Sequence, residues 1–294
     1  MLISYVIVTY KRDEALQQCL NSICAQDYRP LEIIVVDNGG GATISLPDKA
    51  DLQLQVLRPE QNLGAAGGRN LGMKTARGEI YILLDDDAYL IAPDSTRRVL
   101  DLFRQCPRCG AISFRSLDTA RRVIASEFPH PNKVLIQRNE VFEVPYFYAM
   151  GHAFKAEVIA KVGGYSEYIF YLMEEYELSL RVVDAGYTIL YDPRTAVIHD
   201  KAQTGRDIQG AHWWYLMALN KARSAFLKLP MPYPWTILFI WGGRLLLHSR
   251  LNFILAAKMY RALWADRNYL RSHRQPISPD AVRYLKSVGA RLLF

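Results

Sequence analysis

The stretch Ile80-Tyr81-Ile82-Leu83-Leu84-Asp85-Asp86-Asp87 decides the reading of this chain. Its apolar half, isoleucine and leucine with one tyrosine, describes a strand buried on both faces. Three aspartates then stop it. Adjacent carboxylates repel one another, and a fold tolerates three of them poorly without a cation close by. Hard oxygen ligands suit magnesium or manganese, ions that bridge to phosphate oxygens. A solvated acidic turn is the competing reading of the triplet taken alone.

Outward from this stretch the same grammar repeats. Residues 3–8 and 31–36 are continuous apolar runs read as buried strands. The second runs into Asp37-Asn38-Gly39-Gly40-Gly41, a strand-to-loop signal. Residues 52–57 read as a further strand. Residues 12–24 have helical spacing, with Leu16, Leu20 and Ile23 on one face, and residues 70–76 begin or continue a second helix. Strand, helix, strand, strand, helix, strand predicts an α/β fold with a mostly parallel central sheet flanked by helices. Ligands of such sheets bind beyond the carboxyl ends of the strands. Thr9, Asp37 and Asp85–Asp87 all fall there. Farther on, 112–147 reads as irregular strands and loops, 174–185 as a helix, 187–192 as a strand and 213–227 as a helix.

The composition narrows the function classes. Of 294 residues half are hydrophobic and 22% charged, enough to bury a substantial core and unlike a disordered chain. The net charge of +7 is unevenly spread. From Lys201 onward there are 15 basic and 3 acidic side chains, a net +12, whereas residues 1–200 carry −5. A basic, apolar tail on an acidic body argues against a nucleic-acid partner, which needs a polar basic stripe. Cys19, Cys24, Cys106 and Cys109 are too few for a disulfide scaffold. Cys106 and Cys109 have zinc-knuckle spacing but no second pair beside them, so all four read as reduced thiols. The opening MLISYVIVTY lacks a basic region and a small-residue cleavage site, so a cytoplasmic location is expected. The uncharged stretch 229–243, broken by Pro230, Pro232 and Pro234, falls short of the ~20 residues of a spanning helix.

Two motifs fail. The glycine-rich stretch from Asn62 to Asn70 is not the dinucleotide fingerprint, and Met73 stands where a phosphate loop needs lysine. Glycines opening a helix still present N–H groups to an anion, with Arg69 adding charge. Tight packing of helix on sheet is the competing use.

Taken together, SYVIVTYKR, VVDNGG, NLGAAGGRNLG, LLDDD, GHAFKAEVIAKVGGY, EEYELSLR with AGY behind it, and the histidine of TAVIHD resemble the inverting glycosyltransferases of family 2. They stand in the family's order over about residues 1–205. The resemblance implies a GT-A fold there, with 1–110 for the nucleotide sugar and 111–205 for the acceptor, followed by a basic, aromatic-rich helical region over 206–294. It implies a UDP- or dTDP-sugar donor held at Thr9, Tyr10, Arg12, Asp37, Asn62, Gly64, Arg69, Asp85 and Asp86, with Thr9 and Asp37 on the nucleobase or ribose. Asp85, Asp87 and His199 would hold Mg2+ or Mn2+. Gly151, His152 and Glu174 would face a glycan or polyprenyl-linked acceptor, as in bacterial surface-polysaccharide assembly.

The chemistry explains the parts. Negative charge grows on the departing diphosphate, and a divalent ion with basic groups and N–H dipoles stabilises it. The acceptor hydroxyl loses its proton to a carboxylate. Glu175 is the candidate base, in Glu174-Glu175-Tyr176-Glu177-Leu178, where the family more often has Glu-Asp and then Asp-Leu. An acidic helix start that favours the dipole is the alternative reading. Trp213, Trp214, Trp235 and Trp241, interleaved with Arg244, Arg250, Lys258 and Arg261, describe a surface that lies on an anionic membrane, or else a packed lid or dimer contact. A nucleotidyltransferase would need a glycine-rich triphosphate signature that SYVIVTYKR lacks. A sugar-nucleotide-binding subunit without turnover is the other rival.

Overall fold

A computed structural model describes residues 1–41, 44–46, 52–201 and 210–293. The boundary expected at 205/206 lies outside the described residues. The chain begins β1 (Ile3–Thr9), α1 (Asp13–Cys24), β2 (Leu31–Asp37), β3 (Leu52–Leu57), α2 (Gly64–Thr75), β4 (Ile80–Asp85), β5 (Ala88–Leu90) and α3 (Ser95–Gln105). It continues through β6 (Cys109–Leu117), β7 (Phe142–Glu143), β8 (Gly151–Lys155), α4 (Ala156–Val162), α5 (Glu174–Asp184) and β9 (Thr188–His199). The last part is helical: α6 (Gly210–Lys228), α7 (Tyr233–His248), α8 (Phe253–Ala265), α9 (Arg267–Ser272) and α10 (Pro279–Ser287).

One sheet runs β3-β2-β1-β4-β8-β6-β9-β5, with β7 added beside β9. Its first four strands are parallel, as the continuous apolar runs predict. β8 is inserted antiparallel between β4 and β6, and β6 and β9 pair in parallel. The architecture is the expected α/β GT-A arrangement.

Local differences from the sequence reading have physical causes. Helix α2 starts at Gly64, well before Asn70, because its glycines let it press onto β1: a Cβ on Gly68 would meet Val8 Cγ1 at 2.7 Å. Strand β9 runs past Pro193 to His199. The proline sits where the ladder slips between Phe114 and Arg115 of β6, so no pairing N–H is missed. Cys19, Cys24 and Cys109 are core residues, and all four thiols are free.

The C-terminal helices are not an appendage. A single apolar cluster joins Val6, Leu83 and Leu178 to Tyr215, Leu245, Met259 and Leu285. Among the described residues no helix is long and apolar enough to cross a membrane.

Candidate active site

Sheet register builds the acidic edge. Thr9 stands opposite Asp37, and Val8 opposite Asp85, so three parallel strands end together. The chain then turns through Asp86 and Asp87 into β5, whose Ala88 pairs with His199 of β9. The Asp200 N–H donates to the Asp87 carbonyl at 2.9 Å, closing that turn. His199 Nε2 is thereby 3.2 Å from Asp87 Oδ1. One ligand atom each from Asp85, Asp87 and His199 lie within 4.8 Å of one another. Two carboxylates and an imidazole at this spacing fit one shared Mg2+ or Mn2+.

Cations from other elements balance the acids. Arg12 donates to Asp86 Oδ1 at 2.8 Å and to Asp87 Oδ2 at 3.3 Å, while the Thr9 hydroxyl donates to Asp86 Oδ2 at 2.8 Å. Burial still pushes the Asp86 carboxyl up to about 6, against the pull of Arg12. Arg69, buried on α2, donates to Asp85 Oδ1 and to Glu174 Oε1, both at 2.8 Å. It ties the metal-binding edge to the start of α5.

His199 is held from behind by Glu127, whose Oε2 lies 3.0 Å from Nδ1. Burial opposes its charge, but hydrogen bonds to Asp87 and Glu127 raise its pKa to about 10. Glu127 is itself buried, yet contacts with His199, Lys201 and Ser116 bring it down to about 2. A metal ion takes neutral imidazole, so its arrival would release this proton. Glu127 and Lys201 carry no motif and were beyond the reach of sequence reasoning. Only the fold places the Ala125–Glu127 turn beside the end of β9.

The base region is set by a strained turn. Leu172 and Met173, just before α5, both have left-handed φ values of 68° and 71°, a cost of about 1 kcal/mol or more each for non-glycine residues. Asn220 of α6 holds the turn, its Nδ2 donating to the Tyr171 and Leu172 carbonyls at 2.8 and 3.1 Å. Glu174 is buried, and its Oε2 has no hydrogen-bond partner among the described residues. Glu175 is half-buried. Burial, and then the charge of Glu174, push the Glu175 carboxyl up to about 8.

The remaining expected donor residues line the same edge. Asp37 accepts from the Gly39 and Gly40 N–H groups at 3.2 and 2.9 Å and from Arg58 at 3.3 Å. Asn62 Oδ1 caps the Gly64 N–H at 2.8 Å, and Asn38 ties the Gly64 carbonyl to the end of β2. Gly64 has φ +70°, and a Cβ there would lie 2.6 Å from the Phe170 carbonyl. Tyr10 is half-buried, with the Lys11 ammonium 5.1 Å from its ring centre.

Gly151 and His152 depart from expectation. They lie inside β8, where a Cβ on Gly151 would meet Phe114 at 2.8 Å. His152 is fully buried and stacked on Phe147, with its nitrogens against the Ala149 carbonyl and the Tyr165 hydroxyl. Burial, then the charge of Arg69, holds it neutral. A polar residue in a central strand reads as exposed in sequence. Here it fills the core and does not face an acceptor.

Three comparisons bear on this geometry. The family model described as Glycosyl transferase family 2 matches residues 4–163. An uncharacterized glycosyltransferase of Haemophilus influenzae is 24% identical over 245 residues, 76% of this chain and 80% of that protein. The N-acetylglucosaminyl-diphospho-decaprenol L-rhamnosyltransferase of Mycobacterium tuberculosis is 27% identical over 292 residues, 84% of this chain and 91% of that protein. Among solved structures, the mannosyltransferase PcManGT of Pyrobaculum calidifontis, in complex with GDP-Man and Mn2+, superposes with TM-score 0.58. It shares 20% identity and covers 99% of this chain and 80% of that one, a likeness of fold.

Proposed function

The chain belongs to glycosyl transferase family 2, and on that premise we propose that it transfers a sugar, with inversion, from a UDP- or dTDP-sugar to a hydroxyl of a lipid-linked glycan. The observation that carries this reading is the Arg69 bridge. One buried guanidinium holds Asp85 of the cation site and Glu174 beside the candidate base. Leaving-group and base machinery are thus fixed relative to each other.

In the proposed reaction the acceptor oxygen attacks the anomeric carbon and its proton passes to the Glu175 carboxylate. The bond to the donor diphosphate breaks, and its electron pair leaves with the diphosphate. Asp85, Asp87 and His199 would hold Mg2+ or Mn2+, which when bound supplies positive charge to the departing oxygens. Glu175 suits the base role because burial and Glu174 raise its proton affinity towards neutral pH. Glu174, expected to face the acceptor, is instead buried against Arg69 and would act as a positioning residue. Thr9, Tyr10, Asp37, Asn62 and Gly64 would shape the nucleotide end of the cleft, with Arg12 setting Asp86 and Asp87.

The lipid-linked acceptor is supported by the rhamnosyltransferase relative, whose name states such an acceptor, and by an exposed face on α7 and α8. Trp235, Phe239, Leu247, Phe253, Ile254 and Trp264 are each at least 50% exposed. Exposed Arg250, Lys258 and Arg261 flank them. Apolar surface with basic borders fits peripheral contact with an anionic membrane.

Glu175→Gln tests the reading. Sugar transfer should fall by about 10²–10⁴-fold while nucleotide-sugar affinity holds. Near-normal turnover would remove Glu175 from the mechanism.

A further inference from the structure

Lys221 of α6 is a cation without an anion. It is only 7% exposed, and no carboxylate lies within ion-pair distance of its ammonium among the described residues. Its Nζ sits 3.1 Å from the ring centre of Tyr176 and 5.9 Å from that of Trp241. Cation–π contacts of this kind offset only part of the cost of burying an ammonium. The rings alone do not balance the charge. Burial, and then the charge of Arg244, lower the Lys221 pKa to about 7.

The surrounding polar atoms point the same way. The Tyr176 hydroxyl and the Trp241 Nε1 are both buried with no hydrogen-bond partner among the described residues. Arg244, half-buried, stacks its guanidinium 5.1 Å from the Trp241 ring centre. An ammonium, an indole N–H and a phenol thus gather on facing sides of α5, α6 and α7. These are donors in want of an acceptor, and their shared complement is an anion with several oxygens.

Position identifies which anion. Tyr176 follows Glu175 directly on α5, and Asn220, beside Lys221, holds the turn that sets Glu175. Tyr176 is thus the next residue of α5 after the candidate base, and the cluster is drawn from α5, α6 and α7 rather than from the strand ends that carry the cation site. Resting on the glycosyltransferase reading above, we propose that Lys221, Trp241 and Tyr176, with Arg244 at the rim, bind a phosphate of the lipid-linked acceptor while its sugar hydroxyl faces Glu175. Where a single sugar is joined to lipid through a diphosphate, the phosphate on its anomeric carbon is one sugar ring from the hydroxyl that reacts. Helix α7, which carries Trp241 and Arg244, also carries the exposed Trp235, Phe239 and Leu247, apolar surface suited to the lipid.

The test is a titration of the full-length protein in EDTA with farnesyl diphosphate, inorganic pyrophosphate and farnesol as separate arms. Farnesyl diphosphate should bind, and farnesol should bind at least about tenfold more weakly. Lys221→Met and Trp241→Phe should each weaken farnesyl diphosphate about tenfold, Lys221→Arg much less. Trp241→Phe keeps the ring and removes only the N–H, so it remains readable if Lys221→Met does not fold. Unchanged affinity in folded Lys221→Met and Trp241→Phe, or displacement by free UDP, would overturn the site. Pyrophosphate binding more tightly than the prenyl compound would overturn its assignment to the acceptor. Donor turnover in the same preparation tests the underlying reading separately. A protein that consumes nucleotide sugar but ignores farnesyl diphosphate refutes only the phosphate site, and one that binds the lipid but no nucleotide sugar refutes only the reading.

Discussion

Buried charge is handled in opposite ways on the two flanks of α5. On the sheet side, Asp85, Asp86, Asp87 and Glu174 are matched by Arg12, Arg69 and His199 at hydrogen-bond distances. On the helical side, Lys221 has aromatic rings and, among the described residues, no acid. The first flank is largely balanced by its own chain, three basic side chains against four carboxylates, with room left for the charge of a cation. The second lacks its counter-charge, which makes it receptive to an anion from outside. Glu175 sits between them. In the proposed reaction it would rely on the first flank to stabilise the leaving group and on the second to present the hydroxyl.

The sharpest way to break this comparison is Asp87→Ala. It removes a ligand of the cation site and one of the two carboxylates that hold His199. Manganese-dependent donor affinity should drop by more than the ~10–100-fold that loss of an outer-shell partner costs. Unchanged manganese dependence in a titration of donor binding would remove Asp87 from the metal assignment.

A smaller effect is expected from Glu174→Gln, read as a pH–rate profile. A base works only when unprotonated, so the wild-type rate should climb with pH until it passes the Glu175 pKa, near 8 in the protein alone. Burial is the larger cause of that elevation and survives the substitution. The charge of Glu174 does not, so the rising limb should move to lower pH by about one unit. A limb that stays in place or moves up would mean that Glu174 does not act on Glu175 through its charge.

The smallest effect on chemistry belongs to the outer face of the helical flank. Phe239→Ser combined with Ile254→Ser alters two exposed side chains, so folding stability should change by no more than about 1 kcal/mol. Flotation with anionic liposomes should fall several-fold while transfer to a soluble acceptor is kept. Equal flotation would separate the apolar face from membrane contact. This pair is a cleaner probe than removing the region after residue 210, because Tyr215, Leu245 and Leu285 share the core of the catalytic body.

Much of the first flank is legible in the order of residues along the chain. Buried parallel strands announce themselves as unbroken apolar runs, because neither face meets water. Asp37 and Asp85–Asp87 follow such runs directly, so chain order alone sets them at one edge. The resemblance placed His199 with them, and pairing of Ala88 with His199 is the physical means. Glu127 and Lys201 could not be found this way. Their roles depend on a turn and a strand end that meet across the sheet, and neither residue lies in a patterned segment. Gly151 and His152 misled for a related reason. The hydrogen bonds and stacking that make a histidine acceptable in a central strand come from Ala149, Tyr165 and Phe147, and nothing in the local spacing announces them.

The α/β class, the acidic strand ends and the asymmetry of charge between the body and the last ninety or so residues are all written in the order of the residues, since each follows from local pattern or composition. Only the tertiary structure decided what the basic region is. It is a set of helices whose apolar residues complete the catalytic core, whose Asn220 fixes the turn before the candidate base, and whose Lys221 lies buried beside it. Charge can be counted along a chain. Whether it meets water, a carboxylate or an aromatic ring is settled by contacts between residues far apart in sequence.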